Sequence, residues 1–132
     1  METSEALTSG IRVLVRSQYV SERSRPELGE FFFAYTILIE NRSRDRVQLV
    51  SRHWVITDAE GHQEEVRGPG VVGEQPTIRP GDSYTYASGC PLGTASGSMM
   101  GGYYMTDASG RSFEAAIPAF SLDVPGERRV LN

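Results

Sequence analysis

Apolar and polar positions alternate with a period of two along most of this chain, in segments of strand length separated by turn residues at short intervals. The pattern predicts an all-β protein with little or no helix. Ile11, Val13 and Val15 fall on one side of a first strand and Arg12 and Arg16 on the other, so one face is wet. The run from Phe31 to Ile39 is apolar on both faces and reads as a central strand. After the polar turn Asn41 to Arg46, residues 47–58 return as a second long strand, the expected antiparallel partner of the central one. Within it Gln48, Val50, Arg52, Trp54 and Ile56 share one face, Leu49, Ser51, His53, Val55 and Thr57 the other, and Trp54 is the expected core anchor. Further strands are expected at 83–88, 98–106 and 111–120. A total of about seven strands in two antiparallel sheets fits an immunoglobulin or fibronectin type III-like β-sandwich.

Two turns repeat one solution, Thr57-Asp58-Ala59-Glu60-Gly61 and Thr106-Asp107-Ala108-Ser109-Gly110. In each, Asp accepts backbone hydrogen bonds at the entry and Gly takes a positive φ at the exit, so these carboxylates are read as turn formers. The segment from Ile78 to Tyr84 resembles the tyrosine corner of fibronectin-type domains. Periodicity is absent at both ends, so residues 1–10 and 123–132 are expected to be flexible tails around a domain spanning 11–122.

Gly68-Pro69-Gly70-Val71-Val72-Gly73 has the spacing of a dinucleotide-binding loop. Such a loop opens a helix whose amides meet the pyrophosphate, yet here Pro76 and Pro80 occupy the stretch where the helix would begin. Pro69 lacks an amide, Glu74 adds negative charge, and all 13 cationic residues are Arg, leaving no phosphate-loop Lys. Two readings remain. One is a glycine-rich crossover between sheets, where backbone approaches too closely for side chains. The other is a small backbone nest that holds an anion at Gly68, Gly70 and Gly73 with help from Arg52, Arg67 or Arg79.

The run from Gly97 to Met105 also stands out, because Gly101 and Gly102 inside a strand mark a bulge or a close approach. Met99, Tyr103 and Met105 lie on one side and Met100 and Tyr104 on the other. Core packing accounts for one face, and Met99, Met100, Tyr103 and Tyr104 are the candidate contacts for a protein partner. An exposed edge strand is a candidate for pairing two copies into a homodimer.

Composition narrows the chemistry. At 132 residues the chain is one domain, large enough to bury a core unaided. No apolar run approaches the roughly 20 residues of a membrane helix. The first ten residues lack a cationic start followed by an apolar stretch, so a cytoplasmic location is expected. A net charge of −4 weighs against nucleic acid and anionic membranes as partners. Two histidines, His53 and His62, and one cysteine, Cys90, form no metal-ligand spacing and no nucleophile with its base. No catalytic residues, metal or cofactor are therefore expected.

Val47 to Trp54, Gly68 to Pro76, Pro80 to Gly89, Gly97 to Met105 and Phe113 to Phe120 together resemble the ApaG family, in order, over about 11–122. The resemblance implies a fibronectin type III-like sandwich in a small bacterial cytosolic protein without established catalytic residues. It also implies an association with cobalt and magnesium tolerance, and kinship with recognition modules of eukaryotic F-box proteins and a DNA-polymerase-delta-interacting protein. The expected function is a non-enzymatic binding module. The alternative is a phosphate, nucleotide or divalent-ion sensor using the glycine loop.

Overall fold

The structure, a computed structural model, describes residues 2–126. Strands β1 (Glu2–Thr8), β2 (Ile11–Tyr19), β3 (Phe31–Asn41) and β7 (Ser83–Leu92) form one antiparallel sheet in the order β1-β2-β3-β7. Strands β5 (Gln63–Pro69), β4 (Val47–Asp58), β8 (Ser96–Asp107) and β9 (Ser112–Asp123) form the other, and the short β6 (Thr77–Ile78) pairs with the start of β4. Helical geometry is confined, among the described residues, to two three-residue 3-10 turns, Ser21–Arg23 and Pro26–Leu28. The all-β sandwich expected from the period-two pattern is the fold.

The core forms because alternate residues of each sheet point at the other. Ile11, Val13 and Val15 of β2 and Phe33, Ile37 and Ile39 of β3 are almost fully buried, facing Leu49, Met105, Ile117 and Leu122 from the second sheet. Trp54 crosses the gap, with its ring 5.4 Å from that of Tyr35 and 6.0 Å from that of Phe120. The two Asp-containing hairpins are as expected. Asp58 Oδ1 accepts the amides of Glu60 and His62, Asp107 Oδ1 those of Ser109 and Arg111, and Gly61 and Gly110 have φ of 84° and 85°.

Three expectations change. Residues 2–8 are not a tail but strand β1, joined to β2 by a two-residue turn in which Ser9 and Gly10 both have positive φ, 50° and 81°. No side chain from Thr3 to Thr8 is buried, so no hydrophobic period marked this strand. At the other end, β9 runs through Asp123 and Val124 packs on the core, while residues 127–132 lie outside the described residues.

The second change concerns β4, which is not the partner of β3 but lies in the opposite sheet. Asn41, fully buried, donates from Nδ2 to the carbonyls of Asp45 (2.8 Å) and Ile78 (2.9 Å) and accepts the Ser43 amide at 2.9 Å. Thus held, the polar turn carries the chain across the end of the sandwich, and both edges of β3 go to β2 and β7. The same Asn41 side chain thereby ties Ile78, where the β6–β7 corner begins, to the end of β3.

Third, the two faces of β4 exchange at Val50. The register with β8 passes from Leu49 opposite Met105 to Ser51 opposite Tyr104, so Val50 is a bulge residue. Leu49 points into the core before it, and Arg52, Trp54 and Ile56 point inward after it. The close approach expected at Gly101 is found. A Cβ there would lie 1.9 Å from the His53 carbonyl oxygen of the neighbouring strand.

Candidate binding cleft

The two sides of the sandwich differ. On one, β9 lies against β1 and β2, the Ser17 hydroxyl donates to the Ser121 carbonyl at 3.0 Å, and the Ala116 amide donates to Thr8 Oγ1 at 3.2 Å. On the other, β5 and β7 are free edges and the sheets part around a cleft of about 420 Å³. Trp54, Ile56, Val66 and Met99 give it an apolar interior, with Tyr35, Tyr86 and Cys90 from the opposing sheet. Its charged residues are Arg52 and Glu64.

The glycine segment builds the seat for Arg52. Gly68 stands opposite Arg52 on β5, and a Cβ there would lie 3.0 Å from both terminal guanidinium nitrogens, so glycine leaves room for the cation against the backbone. Arg52 Nη1 donates to the Pro69 carbonyl at 2.9 Å and to the Gly70 carbonyl at 3.0 Å. Gly70, at φ +58°, turns the chain where a Cβ would meet the Glu74 carbonyl oxygen at 2.1 Å. Val71 and Glu74 exchange amide hydrogen bonds, both 2.8 Å, across the turn Val72-Gly73, whose φ values of 40° and 82° are both positive. The bulged Val50 completes the loop, its carbonyl accepting the Gly70 amide and Gln75 Nε2.

This arrangement favours a cation. The amides of Gly70, Val71 and Glu74 already have protein acceptors, Pro69 has no amide, and two loop carbonyls face Arg52. Of the first reading only the close backbone approach holds: the segment joins β5 to β6, both paired with β4, so it is a turn within one sheet and not a crossover between sheets. Of the three arginines considered for the loop, the structure brings only Arg52 to it. Arg67 lies opposite His53 on the outer face, where Glu65 is 2.7 Å from His53 and 3.6 Å from Arg67. Arg79 sits in the exposed β6–β7 turn, 3.4 Å from Asp82.

Among the described residues no carboxylate lies within ion-pair distance of Arg52, and Nε and Nη2 donate to no protein acceptor. An arginine with spare donors in an apolar-walled cleft favours an anionic or carbonyl-rich ligand group. Its field reaches the tyrosines. Burial raises the phenols of Tyr35 and Tyr86, and the Arg52 charge opposes that rise at both. Burial also holds Tyr103 protonated well above the ordinary tyrosine range, and its hydroxyl hydrogen-bonds that of Tyr86.

Cys90 is 3% exposed, and burial, followed by the Glu64 charge, pushes its thiol up to about 11. A buried, protonated thiol is a poor nucleophile. Iodoacetamide at pH 7.5 is therefore expected to leave Cys90 unmodified in the folded chain and to alkylate it once denaturant is added. Rapid labelling of the native protein would contradict this environment.

Of the candidate partner contacts, Met100 and Tyr104 are 52% and 49% exposed on the outer face of β8. Met99 and Tyr103 are corrected to core residues, 2% and 0% exposed, because strand alternation turns them inward. Sequence reading missed Tyr35, Glu64 and Tyr86. Each sits at an ordinary inward position of its own strand, and only the pairing of strands distant in sequence brings them to Arg52. Among the described residues, no group of three or more His, Cys, Asp or Glu side chains is arranged to hold a metal. No helix among them is long and apolar enough to cross a membrane.

The fold and cleft define a fibronectin type III-like β-sandwich with one side left open. The chain belongs to the ApaG family: the model of the ApaG domain matches residues 21–107. Protein ApaG of Methylobacterium nodulans is 57% identical over 128 residues, covering 97% of this chain and 98% of that one. Protein ApaG of Brucella anthropi is 57% identical over 127 residues, covering 96% and 98%. Among solved structures, the putative ApaA protein from Bordetella pertussis superposes with a TM-score of 0.86 at 45% identity, over 88% of this chain and 94% of its own. The C-terminal domain of wzt shares the fold at a TM-score of 0.57 and 12% identity, over 96% of this chain and 80% of that one.

Proposed function

We propose that this protein is a non-enzymatic binding module of the cytoplasm, and that its inter-sheet cleft receives a partner's anionic group at Arg52. The observation that carries this reading is the guanidinium itself, fixed by two loop carbonyls and facing an apolar-walled cleft with no carboxylate among the described residues in ion-pair reach. A conformation held by the scaffold reduces the ordering cost of binding. The glycine loop thereby serves recognition without contacting phosphate. The family's association with cobalt and magnesium tolerance is, on this view, exerted through the partner.

A second reading rests on Met100 and Tyr104, two large side chains half exposed on the outer face of β8. Affinity capture from cell extract separates the two. The cleft reading expects a partner retained by wild type, by Met100→Ala and by Tyr104→Ala, and lost with Arg52→Gln. Loss with the outer-face variants alone favours the second reading. A wild type that retains nothing contradicts both.

A further inference from the structure

We infer that the cleft accepts an extended segment of another protein, added as a fifth strand along the free edge of β7, carrying an acidic side chain for Arg52 and a basic one for Glu64. This inference rests on the cleft being the binding site and adds the mode and chemistry of the partner.

The vacancy is defined by the two sheets. Among the described residues β7 ends the first sheet with one edge unpaired, whereas β5 continues the second sheet beyond it. None of the β5 side chains is fully buried, and of its apolar side chains only Val66 packs on the core, so the first sheet leaves most of that strand uncovered. Ser88, Gly89, Cys90 and Pro91 all line the cleft, although successive side chains of a strand point to opposite faces. The wall there is consequently the backbone edge of β7. Natural edge strands are usually blunted with charge, bulges or proline. β7 contains no charged residue from Ser83 to Leu92, and its proline, Pro91, stands next to its end. A strand laid along this edge gains backbone hydrogen bonds and covers β5.

Charge complementarity selects the occupant. Arg52 lies where Tyr35 and Tyr86 feel its field, and Glu64 lies where Cys90 feels its own. Glu64 pairs with Ile56, four residues along β4 from Arg52, which sets the two positions about 13 Å apart along the strand direction at the usual rise. Side chains at i and i+4 of an added strand match that spacing, and the one at i+2 falls over Trp54 and Val66. A second copy paired β7 to β7 does not fit, since β7 brings no charge to meet either residue.

The probe is acetyl-Thr-Asp-Thr-Val-Thr-Arg-Thr-amide, titrated into the full chain by calorimetry and by amide hydrogen exchange. Saturable binding is expected, weakened about tenfold by Arg52→Gln and by the surface change Glu64→Gln. Exchange is expected to slow at alternate amides between Ser83 and Cys90. Equal binding of an Asn/Gln version of the peptide, or no saturation at millimolar concentration, would overturn the inference. So would light scattering showing a dimer whose β7 amides are protected before peptide is added. Arg52-dependent binding without β7 protection would overturn strand addition while leaving the cleft reading intact, and loss of Arg52 dependence in the capture experiment would remove the cleft reading itself.

Discussion

Trp54→Ala is expected to lower the unfolding free energy by about 3–5 kcal/mol, the usual cost of deleting a large buried aromatic. Trp54 is 3% exposed and contacts Tyr35 of one sheet and Phe120 of the other, so the change removes an aromatic bridge at the centre of the sandwich. It also removes the floor of the cleft beside Arg52. Collapse of the surroundings is limited because the neighbouring side chains come from rigid β strands. Against a total domain stability of about 5–15 kcal/mol, the loss is large. Urea unfolding followed by circular dichroism measures it, since the variant lacks the single tryptophan. A loss below about 1 kcal/mol would show that the aromatic bridge is not a principal part of the core.

Gly70→Ala is expected to cost about 3 kcal/mol, combining the strain of a non-glycine residue at positive φ with overpacking. The added methyl would stand 2.1 Å from the Glu74 carbonyl oxygen, which is backbone and already accepts the Val71 amide. Relief requires opening the Val71–Glu74 pair, and that moves the Gly70 carbonyl away from Arg52. Loss of stability should therefore accompany loss of cleft binding. Gly73→Ala is the internal control, because a Cβ there meets nothing within 4 Å and the only penalty is its φ of +82°. Equal effects of the two substitutions would contradict the packing argument.

The sequence made the sandwich legible where alternation was strong. Ile11 to Val15 and the run through Phe33, Ile37 and Ile39 carry their burial in their spacing. Strand β1 did not, because its side chains stay partly wet and its order comes from backbone pairing, the Ser9-Gly10 turn and the 2.7 Å hydrogen bond from Arg12 to Glu5. A bulge is invisible to a period-two reading, which is why Val50 was placed on the face of Trp54. For the cleft, Gly68 and Gly70 are legible as a loop with Arg52 as one of three candidate cations, but which cation it holds and the loop's polarity are not. Whether a loop presents amides or carbonyls depends on φ at Gly70, Val72 and Gly73 and on the hydrogen bonds these angles permit.

The claim that this loop is a seat for Arg52 is tested most directly by nuclear magnetic resonance of the Arg52 guanidinium and the loop amides during a pyrophosphate titration. About 10 mM pyrophosphate would saturate a site with a Kd near 1 mM. The predicted result is a slowly exchanging Arg52 guanidinium whose signals persist throughout, with no saturable shift at the amides of residues 70–74. Saturable movement of those amides together with release of Arg52 would contradict the account.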